Sequence, residues 1–499
     1  MRRREFLKGT FGAAAVAAVL GADAACSRPQ QAARNAIETE NANPGTDAWR
    51  LNKLAQRREI EGYASLASVV PGGTIDLMVS TSLPLPFTIQ IFRMGWYGGA
   101  GGRLMTTSDA PGGTIGPLDG VPRAMPAPTG APDYLIDARW PVSYTLAVPN
   151  TWSSGYYLAK LTRQDGFERY VIFVVRDPHS KAPLVMQASV TTWQAYNYWG
   201  GKSLYSTFDV NAETPGFAPK TSDARSGIVS FDRPYETTHE RDGAGEFFVW
   251  EANMVRWLER QGHDVTYVTN LDVHADGDLL RNRAAFLSVG HDEYWSNEMR
   301  RNVTLARDNG VNLGFFSSNV SYWRVRLSPN DAGVPDRRVV CYKDAGIDPT
   351  TTRWRDQSRP ENLLVGVMYS GVWAGDYVVL DPTSWVFDGT GFKAGDRVRN
   401  LVGYEYDRTF ANGYTPPGLS VLSRSVVGDD IVESSVYTAP SGAVVFATGT
   451  NHWSWALDEY RHAWITGEFK SVAPHAGIAR ATQNVFSRFL TTPNTLARR

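Results

Sequence analysis

Hydrophobic and polar residues alternate in short runs between about residue 60 and residue 176. Alternation of this kind predicts half-buried β-strands, and turns rich in Pro and Gly separate successive runs. Several short strands with such turns are typical of an immunoglobulin-like β-sandwich, which we assign to residues 56–177. The runs that predict strands are 63–69, 74–80, 87–92, 144–148, 155–162 and 169–175.

After residue 177 the pattern changes to continuous apolar runs separated by amphipathic stretches. Continuous runs suit strands that are covered on both faces, and their alternation with helices predicts a parallel sheet of flavodoxin type. The fold class is therefore predicted as α+β multidomain, with an α/β domain over residues 178–499 and an insertion around 330–440. The predicted strands are 184–187, 265–269, 284–289, 311–316 and 443–447, and the predicted helices are 247–261, 297–309 and 485–490.

Polar or aromatic side chains follow the predicted strands of the α/β domain. In an open parallel sheet the carboxyl ends of the strands share one edge, where ligands bind. The run 284–289 ends at Gly290, and His291, Asp292, Glu293 and Tyr294 follow at once, so GHDEYW is the centre of the expected site. The other groups expected at this edge are Tyr196-Asn197, Tyr235, Asn270–Asp272, Ser317–Asn319 and Asn451-His452.

The composition excludes several classes of partner. The 499 residues carry a formal net charge of -1, which argues against a nucleic-acid partner. The two cysteines, Cys26 and Cys341, form no disulfide framework. No apolar run after the first 25 residues is long enough to cross a bilayer, so we expect no transmembrane segment in the mature chain.

Residues 1–25 look like an export signal rather than part of the fold. RREFLK at residues 3–8 is similar to a twin-arginine signal, and an apolar run over 11–20 follows it. Residues 26–55 are polar and without period, and we predict a flexible lead-in. The protein is expected in the periplasm, the cell envelope or the medium. Lipid anchoring through Cys26 is the second interpretation, because Asp23 stands where a lipoprotein signal has an aliphatic residue.

The motifs of several enzyme classes are missing from the sequence. G-x-S-x-G and G-x-C-x-G elbows do not occur, which disfavours a serine or cysteine nucleophile. HExxH and CxxC zinc spacings do not occur either. The remaining candidates are oxygen donors from Tyr and Glu beside a histidine. Such donors favour a hard cation, and phenolate with carboxylate suits ferric iron, Fe(3+).

Five stretches of this chain together resemble the large-subunit family of N,N-dimethylformamidase. They are GHDEYW, AYNYWGGKSLY, FDRPY, FRMGWYGG and GTNHWSWAL. The resemblance runs from about residue 60 to the C-terminus. It implies an α/β domain like that of glutamine amidotransferases and an amidohydrolase that holds one iron ion with two tyrosines and a glutamate. On the matching motifs, the implied ligands are Glu293, Tyr196 and Tyr235, with His291 beside them. Tyr198 and Tyr205 lie close by in the sequence and are alternative tyrosines.

The ligand set suggests a mechanism, and the resemblance suggests partners. The iron would activate the carbonyl of a small-molecule amide and a bound water. Glu293 would be a ligand, and His291 would orient Glu293 or move protons. Asn197 or Asn319 would stabilise a developing oxyanion. The named enzyme of the family works with a small second subunit, so a second subunit or a homo-oligomer is expected here. The export signal is a departure from that enzyme, which leaves the substrate open.

Two other hypotheses compete with the amidohydrolase. The chain could be a non-catalytic cell-envelope protein that binds glycan or protein through the sandwich and the aromatic edge, because a fold does not determine a function. It could also be a glycoside or ester hydrolase that uses the carboxylates of Asp272, Asp292 and Glu293. The FRMGWYGG loop is expected either to pack on the neighbouring domain or to cover a substrate.

Overall fold

The computed structural model describes residues 34–205, 225–236, 242–461 and 472–491. These residues form a mixed α and β protein with several sheets. The predicted export signal and Cys26 lie outside the described residues. Within them, no helix is both long and apolar enough to cross a membrane.

The first strands form two sheets that share a core. The strands are β1 (Ile60–Ala64), β2 (Ser68–Val69), β3 (Thr74–Thr81), β4 (Phe87–Met94), β5 (Gly102–Met105), β6 (Thr114–Leu118), β7 (Tyr144–Ala147), β8 (Gly155–Arg163) and β9 (Glu168–Val175). One sheet has the order β1-β3-β7, and the other has the order β2-β9-β8-β4-β5, with β6 paired to β4. The predicted runs 74–80, 87–92, 144–148, 155–162 and 169–175 are confirmed as strands, whereas the run 63–69 is divided between the end of β1 and β2. Strands β5 and β6 were not predicted because their runs are short and have no clear period.

Strands β8 and β9 are buried on both faces. Tyr157 and Phe173 point into the core between the two sheets. Their neighbours Tyr156 and Ile172 point the opposite way, into the core of the α/β part. Side chains alternate across a strand, so these two strands contribute to both cores. The sheet that contains them is therefore an internal layer of the molecule.

The α/β part is built on one twisted sheet with the order β12-β10-β13-β15-β24-β23-β22. Its strands are β10 (Leu184–Ala188), β12 (Val265–Thr269), β13 (Ala285–His291), β15 (Asn312–Ser318), β22 (Ser420–Val427), β23 (Asp430–Thr438) and β24 (Val444–Ala447). The strands from β12 to β24 in this order are parallel, and β23 and β22 add antiparallel strands beyond β24. The predicted parallel strands are confirmed.

The remaining strands form small sheets beside the main one. They are β11 (Ile228–Ser230), β14 (Tyr294–Ser296), β16 (Trp323–Ser328), β17 (Arg338–Val340), β18 (Met368–Val372), β19 (Gly375–Val378), β20 (Arg397–Val402) and β21 (Glu405–Arg408). One sheet has the order β11-β17-β16-β14, and two pairs, β18-β21 and β19-β20, lie in the predicted insertion.

The helices are short. They are α1 (Ala36–Asn41), α2 (Val190–Tyr196), α3 (Ala252–Arg260), α4 (Asn270–Ala275), α5 (Asn297–Asp308), α6 (Asn362–Val365) and α7 (Ala476–Thr491). The helix predicted from residue 247 begins with a π-helical turn, Phe247–Glu251. Gly262 follows it with φ of 72°, a conformation that favours glycine after a helix. Ser296 caps α5 as predicted, since its hydroxyl accepts a hydrogen bond from Met299 N at 3.1 Å.

The lead-in that we predicted as flexible contains a helix in its described part. Asn35 and Glu38 form a capping box at the start of α1, which stabilises even a short helix. Trp49 stacks on Phe248 with ring centroids 5.4 Å apart. The sequence pattern predicted neither feature, because the segment is mostly polar and its few apolar residues are irregularly spaced.

The FRMGWYGG loop packs on the neighbouring elements rather than over a site. Tyr97 Oη donates to Glu40 Oε1 in α1 at 2.8 Å. Arg256 and Arg260 of α3 lie over the Trp96 ring at 5.1 and 5.0 Å. The loop therefore joins the sandwich to α1 and α3.

Candidate active site

The GHDEY stretch begins inside β13, which ends at His291, and runs into β14, which begins at Tyr294. Gly290 has φ of 72°, and a Cβ on it would lie 2.3 Å from Cβ of Trp250. Only glycine fits this conformation and this contact. Thr192 Oγ1 of α2 accepts a hydrogen bond from Glu293 N at 2.9 Å. The turn is thus fixed by the first helix of the α/β part.

The carboxylate of Glu293 accepts hydrogen bonds from two tyrosines. Tyr196 Oη lies 2.8 Å from Glu293 Oε2, and Tyr205 Oη lies 2.7 and 2.8 Å from the two carboxylate oxygens. The two phenol oxygens are 3.1 Å apart, and the rings stack with centroids 4.5 Å apart. Two phenols and one carboxylate therefore converge.

His291 connects Glu293 to a second carboxylate, Glu405. His291 Nε2 lies 2.9 Å from Glu405 Oε2 and 3.4 Å from Glu293 Oε2. Asn319 Nδ2 donates to the same Glu405 oxygen at 2.9 Å. The hydroxyl of Tyr404 lies 3.5 Å from His291 Nδ1. The imidazole is buried, so these contacts define its position.

Charges determine which of these groups hold protons. Burial lowers the pKa of His291, but the charges of Glu405 and Glu293 outweigh burial and raise it well above its usual value. Burial raises the pKa of Glu293, but the hydrogen bond and charge of His291, with the charge of Lys343, hold it below its usual value. Burial and the charge of Glu293 raise the pKa of Tyr196 and Tyr205 well above 10. These pKa shifts favour an imidazolium at His291, an ionised Glu293 and neutral phenols at Tyr196 and Tyr205.

Lys343 lies beside this cluster. Its Nζ is 3.4 Å from the ring centroid of Tyr205 and 4.7 Å from that of Trp323. Burial lowers the pKa of Lys343 to about 8. An ammonium over a phenol ring is attracted by the ring face and would favour a phenolate more strongly.

The other residues predicted for the site have structural contacts. Tyr235 lies with its ring centroid 6.1 Å from that of Trp193. None of its contacts within the described residues reaches Glu293. The Asn197 amide donates to Pro234 O and accepts from Glu236 N, so it holds the segment that carries Tyr235.

The two neighbouring aspartates also have structural partners. Asp292 accepts hydrogen bonds from Gln187, Ser288 and Asn270. Asp272 caps α4 through Thr269 N at 2.8 Å and pairs with Arg176 at 2.9 Å. Both carboxylates are therefore engaged by partners other than the Glu293 cluster.

The last predicted group, Asn451-His452, supports the edge of the sheet. Asn451 Oδ1 accepts from Ser318 Oγ at 2.6 Å. The His452 ring stacks on Trp455 at 3.9 Å. Polar groups at the ends of all the parallel strands do gather at one edge, as predicted, but only part of them faces the Glu293 carboxylate.

Sequence reasoning did not single out Tyr205, Glu405 and Lys343. Tyr205 stands in AYNYWGGKSLY, so the motif was noticed but the tyrosine nearest the carboxylate was not chosen. Glu405 and Lys343 belong to residues 330–440, where hairpins and loops leave no period to interpret. A polar residue in such a region is indistinguishable from a solvated one until the fold brings it to the site.

The donor set is unusual for a metal site. Over the described ranges, no three His, Cys, Asp or Glu side chains are grouped so that they could hold a metal ion. Any cation bound beside Glu293 would therefore need oxygen donors of other residue types, such as the two tyrosines.

The family follows from a comparison with known proteins. Residues 88–465 match the family model described as N,N-dimethylformamidase beta subunit-like, C-terminal. This chain belongs to that family. It is also 25% identical over 350 residues to the N,N-dimethylformamidase beta subunit of Paracoccus aminophilus. The aligned region covers 59% of this chain and 45% of that relative, so it spans less than half of the relative's length. The family resemblance expected from the motifs is confirmed.

Proposed function

We propose that this chain is an exported, metal-dependent hydrolase that cleaves the C–N bond of a small amide. The observation that carries the proposal is the convergence of Tyr196, Tyr205 and Glu293 beside His291 in a member of this family. Two phenols, a carboxylate and an imidazolium in one buried cluster are groups for chemistry rather than for packing.

The three oxygen donors fit a small cation. Their mutual distances are 2.7 to 3.1 Å, and adjacent oxygens around an ion with bonds of about 2 Å lie roughly 3 Å apart. Tyr196, Tyr205 and Glu293 would hold the ion, and ferric iron suits phenolate and carboxylate ligands. When bound, such an ion supplies a Lewis acid for an amide carbonyl and for water. Tyr205 replaces Tyr235 in this proposal because of its contact with Glu293.

His291 and Glu405 are placed to move the proton that hydrolysis requires. Amide hydrolysis forms a C–O bond from water, breaks the C–N bond and transfers one proton from that water to the nitrogen. Glu405, 2.9 Å from His291 Nε2, would take the proton, and the imidazolium would give one to the leaving amine. Asn319 holds Glu405 in place for this exchange and is retained as a site residue, whereas Asn197 has no part in it.

Lys343 would favour the ionised form of Tyr205. Its ammonium lies over the Tyr205 ring, and a nearby positive charge lowers the free energy of a phenolate. This contact offsets the effect of Glu293, whose charge raises the pKa of both phenols.

The finer points of the fold and location belong to the same proposal. The parallel strands have the order 2-1-3-4-5 when numbered along the chain, which is the flavodoxin-like order and supports an α/β domain like that of glutamine amidotransferases over residues 178–499. Two sheets around one core support an immunoglobulin-like sandwich over 56–177. We further propose export by the twin-arginine route and a second subunit or homo-oligomer. The alternative of a non-catalytic envelope protein is not favoured by the buried ionised cluster.

The deciding experiment compares two tyrosines. The mature chain is purified without chelators, and iron content, the tyrosinate-to-iron absorption band and hydrolysis of a panel of small amides are measured. We expect Tyr205→Phe and Glu293→Ala to lose bound iron and the band, with hydrolysis at least ~100-fold lower, because each removes an oxygen donor.

Tyr235→Phe is the matched control, since it removes the same phenol hydroxyl from a half-buried tyrosine that does not contact Glu293. It should keep iron, the band and hydrolysis. Loss of iron in Tyr235→Phe with retention in Tyr205→Phe would restore the ligand set expected from the sequence. Wild-type protein that binds no metal would overturn the hydrolase proposal.

A further inference from the structure

Three arginines surround one buried tryptophan outside the candidate active site. The guanidinium carbons of Arg300, Arg324 and Arg359 lie 4.7, 5.4 and 4.9 Å from the ring centroid of Trp354, so no two of them are more than ~10 Å apart. Arg300 belongs to α5 and Arg324 to β16, while Arg359 precedes α6. We call these four residues the Trp354 cluster.

None of the three arginines forms an ion pair within the described residues, although acidic residues lie nearby. Each neighbouring carboxylate is paired with a different arginine. Glu361 pairs with Arg355 at 2.8 Å, Asp356 with Arg353 at 2.7 Å and Asp308 with Arg307 at 2.8 Å. The Trp354 cluster therefore concentrates positive charge that no ion pair among the described residues neutralises, although the charge of Glu361 acts on Arg300.

The three arginines use only some of their N–H groups in hydrogen bonds. Arg300 Nη2 donates to Pro360 O at 2.6 Å, Arg324 Nη1 donates to Gln357 Oε1 at 2.5 Å, and Arg359 Nη1 donates to Asn297 Oδ1 at 3.1 Å. Three buried nitrogens have no acceptor among the described residues: Arg300 Nη1, Arg324 Nε and Trp354 Nε1. Arg300 is 2% exposed and Trp354 0%. All three are donors, so only a group that carries acceptors can satisfy them.

The charges also act on one another. Burial, together with the positive charges of Arg359 and Arg307, lowers the pKa of Arg300 to about 9 against the opposing effect of Glu361. Burial and the charge of Arg324 lower the pKa of Arg359. A buried charge that lacks a counter-charge is costly. An anion would remove both the repulsion and the unsatisfied donors.

We propose that the Trp354 cluster binds a tetrahedral oxyanion, phosphate or sulfate. Guanidinium groups present planar, forked donors that match the oxygens of such anions, and Arg324 and Arg359 are half-buried and so accessible from solvent. The site is separate from the Glu293 cluster and does not depend on the hydrolase activity. Its ligand is either a free ion or the terminal group of a phosphate or sulfate ester.

The test uses the full mature chain and inorganic phosphate. Binding is measured by isothermal titration calorimetry, and thermal unfolding is followed in sodium phosphate, sodium sulfate and sodium chloride at equal ionic strength. Strongly hydrated anions stabilise most proteins because they are excluded from the surface. The comparison of wild type with variants distinguishes this general effect from binding at the Trp354 cluster. We expect saturable binding by wild-type protein and a weakening of at least ~10-fold in Arg324→Gln/Arg359→Gln, because hydrogen bonds to charged groups are lost.

Arg397→Gln is the matched control, because it removes one charge from an exposed arginine outside the cluster. It should bind phosphate as the wild type does. Arg359→Gln alone, at a half-buried position with one side-chain hydrogen bond, provides a second variant if the double variant fails to fold. Titration with a phosphate monoester then identifies the source: binding as tight as that of inorganic phosphate assigns the site to a terminal group.

Two results would overturn the proposal. One is wild-type protein that shows no saturable phosphate or sulfate binding. The other is equal binding by wild type, Arg359→Gln and Arg397→Gln, which would mean that the anions stabilise the protein without occupying the cluster. In either case the arginines would serve only to pack their guanidinium planes on Trp354.

Discussion

Gly290 shows how one residue positions the whole candidate site. It is the glycine of GHDEYW, its φ is 72°, and Trp250 fills the space that a side chain would need. Since His291 and Glu293 follow directly, any movement of Gly290 displaces both. A β-carbon at position 290 would destabilise the fold in two ways, through backbone strain and through overpacking against Trp250.

We predict that Gly290→Ala destabilises the protein by about 2–5 kcal/mol, since left-handed backbone costs an alanine roughly 1–2 kcal/mol and overpacking adds roughly 1–3 kcal/mol. Thermal and urea unfolding measure the loss, and iron binding should fall with it. Gly112→Ala is the control, because nothing lies within 4 Å of a Cβ at that position. Equal stability of the two variants would show that Trp250 can move away from the added Cβ without a loss of folding free energy.

His452 is predicted to make the protein less stable in acid. Burial lowers its pKa to about 3, while the unfolded chain titrates near 6.5. Between these values the unfolded state binds more protons, so the free energy of unfolding decreases as the pH falls below about 6.5. Above pH 6.5 the imidazole is neutral in both states and causes no loss of stability. By pH 5 the free energy of unfolding should be lower by about 2 kcal/mol.

Urea unfolding at pH 7.5 and pH 5 tests this effect. His452→Gln removes the titrating group, so the variant should lose less stability than wild type between the two pH values. His179→Gln, at an exposed position, should behave as the wild type does. An equal loss in wild type and His452→Gln would mean that other groups cause the acid sensitivity.

At the scale of elements, the strongest patterns in the sequence were the most reliable. The apolar run 284–289 became β13, and Ser296 capped α5 because a hydroxyl before an amphipathic run satisfies the first free amide groups. Strands β5 and β6 and the hairpins of 330–440 were not predicted, because short strands with mixed burial have no distinctive period. The sequence therefore distinguished helix from strand only where the hydrophobic pattern extended over many residues.

Ser296→Ala should destabilise α5 by about 1 kcal/mol, because Met299 N loses its acceptor. The melting temperature should fall by a few degrees, while iron content stays unchanged, since the cap contacts none of Tyr196, Tyr205 and Glu293. Differential scanning calorimetry and elemental analysis measure the two quantities. An unaltered melting temperature would mean that losing the contact between this hydroxyl and His274 offsets the loss of the cap.

At the scale of the whole molecule, the sandwich is part of the α/β core rather than an appended domain. From Asn35 onward the chain forms one compact unit. Arg93 of β4 forms a buried ion pair with Glu259 of α3 at 2.8 Å. Tyr156 of β8 donates to Glu251, which also accepts from Ser189 N at 3.1 Å at the start of α2. The sandwich thereby supports the helix that carries Tyr196.

Glu259→Gln should destabilise the protein by about 3–5 kcal/mol, because it leaves Arg93 charged and buried without its partner. Calorimetry should show one transition at lower temperature, since both layers share a core. Glu298→Gln, whose side chain is 42% exposed, should change stability little. Two separate transitions in Glu259→Gln would show instead that the sandwich unfolds on its own.

The sequence by itself determined the strands and helices with a strong period, the edge where the parallel strands end, the position of His291 and Glu293 at that edge, and the family. These follow from local pattern and motif, which need no knowledge of distant contacts. Only the tertiary structure decided that Tyr205 rather than Tyr235 meets Glu293, that Glu405 and Lys343 join from residues 330–440, and that arginines gather around Trp354. Such groups are distant in sequence, and the packing of whole elements brings them within a few ångströms of each other.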